Sequence, residues 1–164
     1  MPYDDHVARI QQAWATERPD LDVTPQGIIG RLHRLAAVLR DELLVVYGEH
    51  GLGEGEFDVL ATLRRAGAPY ERAPGELAEH TMVTTGAMTK RVDRLVEAGL
   101  VTRRRSDVDG RGRVVALTPQ GLDLIDRAMT AHMANEHRLL EPLTAQQQRD
   151  LERLLVTWLG AHGG

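Results

Sequence analysis

Residues 84–121 read TTGAMTKRVDRLVEAGLVTRRRSDVDGRGRVVALTPQG, and this stretch decides the fold. It opens with a helical period: Met88, Val92, Leu95 and Val96 recur at three- and four-residue spacing, so 84–98 is expected to be an amphipathic helix. Gly99 stands just past its end, where a left-handed cap residue belongs. Two short β runs follow, Leu100–Arg104 and Arg113–Leu117. The polar, glycine-bearing run 105–112 between them suits a hairpin loop. Thr118-Pro119 then caps a further helix.

Working outward, Pro74 opens a short helix ending near His80, and 81–83 form a turn. Residues 54–66 form another helix with Phe57, Leu60, Ala61 and Leu63 inside. Toward the N-terminus, 4–17 is a helix carrying Val7, Ile10, Gln11 and Trp14 on one stripe. Thr24-Pro25 caps a long helix to about Tyr47, with Ile28, Leu32, Leu35, Leu39, Leu43 and Val46 in register. Helices at 119–140 and from Thr144 to about Leu159 complete the chain. Two short helices joined by a tight turn and followed by a hairpin make a winged helix-turn-helix. The expected fold is therefore α+β, mostly α. Residues 50–117 are expected to form the winged helix-turn-helix, with helical regions at 1–49 and 118–164 on either side, and the long helix after Pro25 suits a scaffold or dimer helix.

Charge supports a polyanionic partner despite a net −4. Residues 82–113 hold eight basic and four acidic residues, a net of +4 in an otherwise acidic chain, which is a local footprint for phosphate. On 84–98 the face opposite the apolar stripe carries Thr85, Gly86, Thr89, Lys90, Asp93 and Arg94. Thr85 and Gly86 sit at the helix N-terminus, where backbone N–H groups can meet phosphate. Thr89 and Lys90, the only lysine, suit base edges, and Arg94 suits a phosphate or a guanine. On the wing, Arg111 suits the narrow minor groove, Asp109 suits buttressing an arginine, and Arg113 joins the same basic set. Taken alone, the helix face also fits a solvated charged surface. Double-stranded DNA is the expected partner.

Other classes find less support. There is no cysteine, so disulfides, thiolate zinc sites and thiol switches are excluded. No apolar run is long enough for a bilayer, the N-terminus does not read as a signal peptide, and a cytoplasmic location is expected. His132 and His137, the only close histidine pair, are poorly spaced for one helix face, so no metal or cofactor is expected. No nucleophile–base pair, phosphate-cradling glycine loop or metal triad supports an enzyme. A helical ligand-binding or enzyme module without DNA binding stays as the alternative of another class.

The runs Leu95-Val96-Glu97-Ala98-Gly99-Leu100-Val101, Arg103-Arg104, Asp109-Gly110-Arg111 and Leu117-Thr118-Pro119-Gln120-Gly121 resemble the MarR family over roughly residues 28–160. Gly110 replaces the first wing arginine of that pattern. The resemblance implies a homodimeric repressor on a pseudo-palindromic operator, with 1–49 and 118–164 as its helical dimerisation region. A helix before the dimerisation helix, with Trp14 and then Glu17-Arg18-Pro19-Asp20, is similar to the PecS-like, urate-responsive branch. That likeness implies a ligand site at Trp14, Asp58, Arg91 and Arg103, and a small anionic effector, urate or a related purine. Trp14 also suits a packing anchor, and Asp58 with Arg91 a structural ion pair. A MarR-like sensor of phenolic or aromatic acids is the alternative within the family.

Overall fold

The computed structural model describes residues 5–80, 85–105 and 113–163. Its elements are α1 (His6–Glu17), α2 (Gln26–Glu49), α3 (Glu54–Arg65), β1 (Glu71–Arg72), α4 (Pro74–His80), α5 (Thr85–Glu97), β2 (Val101–Arg105), β3 (Arg113–Leu117), α6 (Pro119–Leu140) and α7 (Ala145–Gly160). The expected helices and both hairpin strands are present within one or two residues of their anticipated ends. The turn expected at 81–83 lies outside the described residues.

The chain divides into two compact units, Met1–Leu43 and Leu44–Gly164. α6 packs on α3 inside the second unit. In the first unit, Asp5 caps α1 by accepting from the Ala8 amide at 2.9 Å, and Arg31 of α2 donates to both of its oxygens at 2.8 and 3.1 Å. Those bonds hold the Asp5 carboxyl below the usual carboxylate range, the Arg31 bond most of all. Val7 is buried and lies against Gly30, where an added Cβ would come within 3.2 Å of its Cγ1. The Thr24 hydroxyl donates to Asp22 at 2.7 Å, while the Thr24 backbone carbonyl accepts from the Gly27 amide of α2 at 3.0 Å. The expected side-chain cap at Thr24 thus gives way to a local turn at Asp22, a bond that competes with side-chain capping.

In the second unit the core is mostly apolar, with Thr62 and His132 as its buried polar side chains among the described residues. Val59, Leu60, Leu63, Leu77, Val115, Ile125 and Ala128 are fully buried. Tyr47 stacks on Phe57 with ring centroids 4.2 Å apart, and both rings contact the buried His132 of α6. The antiparallel sheet has order β1-β3-β2, so a third strand joins the expected pair. Glu71 and Arg72 have no strand signature of their own and are strand only by pairing with Ala116 and Val115.

Two glycines carry the junctions of this unit. Gly99 has φ +71°, and the Leu100 amide returns to Leu95 O at 2.9 Å, closing α5 and turning the chain into β2. Gly121 sits in the first turn of α6 against the Leu100 backbone. A Cβ there would lie 2.9 Å from Leu100 C and nearer still to its O. The glycine of the Leu-Thr-Pro-x-Gly run is therefore a close-approach residue. Thr118 caps α6, accepting from the Gly121 amide at 3.0 Å and donating to Gly99 O at 2.8 Å.

Candidate nucleic-acid interface and effector site

The amphipathic helix α5 buries Met88, Val92 and Leu95 against the core. Val96 departs from the expected stripe and is 38% exposed, since it lies at the stripe's edge in the last turn. The opposite face is open, with Thr89, Lys90 and Arg94 exposed. Lys90 forms no ion pair among the described residues. Arg94 reaches Glu56 of α3 at 3.3 Å, a pair that leaves the guanidinium mostly in solvent. Thr85 and Gly86 open α5. Asp109 and Arg111 lie outside the described residues.

The strands add a second cationic surface. Arg105 and Arg113 are direct cross-strand partners. Like charges so placed repel, which a bound polyanion would relieve. Arg103, Arg104, Arg105 and Arg113 together line a cavity of about 180 Å³. Arg104 is tied across the sheet to Glu71 of β1, so its direction is fixed by the strand that sequence reading missed.

Three of the four proposed effector residues fall in the second unit. Asp58, on α3, is half-buried and forms no hydrogen bond or ion pair among the described residues. Burial raises its carboxyl above the usual range, opposed by the charges of Arg65 and Arg91. Arg91 is half-buried on α5 and also has no ion-pair partner among the described residues. The structural ion pair of Asp58 with Arg91, the alternative to a ligand site, is not formed, although the two groups feel each other's charge. Arg103 turns to Asp93 and to Thr89 O of α5, linking the wing strand to that helix. Trp14, in the first unit, is 45% exposed on α1.

A second cavity, of about 250 Å³, lies between α5 and the sheet. Pro74, Met88, Val92, Val114 and Val115 give it apolar walls, and Thr89, Arg103 and Arg113 give it a polar end. Sequence reading did not find this cavity. Its parts come from α4, α5, β2 and β3, and only the sheet register brings them together. Among the described residues, no cluster of side chains could hold a metal ion, and no helix is long and apolar enough to cross a membrane.

Comparison with known proteins gives consistent matches. A model of the MarR family matches residues 50–112. The chain is 39% identical over 149 residues to the HTH-type transcriptional regulator PecS of Dickeya dadantii, covering 91% of this chain and 90% of that protein. It is 37% identical over 138 residues to the HTH-type transcriptional repressor Rv2887 of Mycobacterium tuberculosis, covering 82% and 93%. The structure of Rv2887 complexed with salicylic acid superposes with TM-score 0.62 at 35% identity, over 80% of this chain and 95% of that one. A mutant MarR of Escherichia coli complexed with operator DNA superposes with TM-score 0.69 at 30% identity, over 85% and 99%.

Proposed function

The chain belongs to the MarR family of transcription regulators, which are not enzymes, and on that premise we propose that it is a homodimeric cytoplasmic repressor released from its operator by a small anionic purine, urate or a relative. The observation that carries the DNA half is one surface: the open α5 face with Thr89 and Lys90, flanked by the arginine-lined strands. α5 enters the major groove with Thr85 and Gly86 leading, Thr89 and Lys90 read base edges, and Arg94 and Arg113 bind phosphate. Arg111 with Asp109 carries the wing tip to the minor groove. The MarR–operator complex supports this reading by likeness.

Two-fold symmetry matches a pseudo-palindromic site, and dimerisation accounts for apolar side chains left in solvent. Ile28 and Val38 of α2 are 61% and 56% exposed, and Leu154, Val156 and Leu159 of α7 are all above 60%. Faces this apolar on helices this long mark an interaction surface.

The effector half rests on Trp14, Asp58, Arg91 and Arg103. Among the described residues the Arg91 guanidinium has no ion-pair partner and can offer a planar fork of donors to an anion, and the likeness to the urate-responsive branch adds Trp14 as a stacking face. An anion at Arg91 would repel the Asp58 carboxylate and shift α5, while Arg103 carries the shift to the wing through Asp93. The test is fluorescence anisotropy of labelled upstream duplex DNA during urate titration. Release by urate with the protein still folded is expected; no release at saturating urate would sink the effector reading.

A second reading has its own observation. The cavity between α5 and the sheet pairs apolar walls with Arg103 and Arg113, which suits an aromatic carboxylate, and Rv2887 forms a complex with salicylic acid. Release by salicylate and not by urate would select it.

A further inference from the structure

Arg91 is half-buried and lacks an ion-pair partner among the described residues, so none of their carboxylates holds it. The object beneath it is the backbone of Gly55, in the first turn of α3. A Cβ built on Gly55 would lie 2.7 Å from Arg91 Cδ and nearer still to Nε and Cζ. By contrast, a Cβ at Gly48, Gly75 or Gly160 meets nothing within 4 Å. One turn further along α5, Arg94 reaches Glu56. Two arginines of α5 thus bracket the same turn of α3, one held by charge and one by shape.

We propose that Gly55 is the positioning residue for Arg91: its missing side chain makes the seat that fixes the guanidinium over α3 and leaves its donors open to an anion. The functional half of this inference rests on the effector reading above. The seat also explains why a cation can sit near the positive end of a helix, an arrangement disfavoured by the macrodipole. Glu54 and Glu56 in that first turn offset it. Asp58, one turn further along α3, senses Arg91 without bonding it. An anion bound at the fork would therefore press on both α3 and α5.

The colliding atoms are the far end of a flexible side chain. Gly55→Ala should consequently displace the guanidinium and keep the fold. Four proteins test this: the parent, Gly55→Ala, Arg91→Ala, and the double variant. Each is followed by thermal unfolding and by urate-driven release of duplex DNA. With Arg91 truncated, Gly55→Ala removes only glycine's backbone freedom and should raise Tm by about 1–4 °C. With Arg91 present, that gain should vanish or reverse. An equal shift in both backgrounds would overturn the seat.

Gly55→Ala should also need at least about tenfold more urate for half-release than the parent, the scale of one lost well-placed charged contact. Release of both at the same urate concentration would overturn the effector role of Gly55. A parent that urate does not release at all would refute the effector reading instead, and the thermal comparison would still decide the seat.

Discussion

The interior around α3 and the faces of α2 and α7 are built from the same residue types and differ in what covers them. In the first, Leu60, Leu63, Leu77 and Val115 are fully enclosed within one chain. In the second, Ile28, Val45, Leu154 and Val156 stand more than 60% exposed. The winged unit finishes its own core. α2 and α7 each carry apolar side chains that stand open, which fits the proposed pairing with a second copy. On that proposal, the difference separates residues that hold the fold from residues that hold the dimer.

The contrast can be broken by mutation, beginning with the largest effect. Leu63→Ala should cost about 2–5 kcal/mol of unfolding free energy, read by chemical denaturation, since it removes a fully buried side chain and leaves a cavity. The pair Leu154→Glu and Leu159→Glu should leave helix content intact by circular dichroism while converting the proposed dimer to a monomer in sedimentation velocity. A dimer unaffected by both charges would remove α7 from the interface.

Subtler changes sharpen the comparison. Asp58→Asn should raise the unfolding midpoint at pH 7. Burial lifts the Asp58 carboxyl above its unfolded value, so ionisation costs stability at neutral pH, and the gain should disappear as pH falls below the unfolded value near 4. Arg127→Ala should change stability by no more than about 0.5 kcal/mol, because its pair with Asp123 on α6 is exposed on both sides.

Much of the fold was legible in the sequence because its signals are local. Helical periodicity, Gly99 at positive φ and the Thr118 and Thr144 caps act within a few residues. What escaped is tertiary. β1 exists only through β3, and Glu56 meets Arg94 from a separate helix. The Thr24 hydroxyl turns to Asp22 in place of a helical amide. At the candidate site, the exposure of Thr89 and Lys90 followed from helix geometry alone. The turn of Arg103 toward Asp93, and the seating of Arg91 on Gly55, depend on how α5 crosses its neighbours. No spacing rule in the sequence encodes that crossing.

The central claim is that α5 and the arginine-lined strands read duplex DNA, and the salt dependence of that binding tests it most directly. The measurement is anisotropy of labelled upstream duplex at salt concentrations from roughly 50 to 200 mM. Two protomers making several phosphate contacts each should lose roughly 10³-fold or more in affinity across that range. Binding that does not change with salt, or no binding at the lowest salt by a folded protein, would contradict the account.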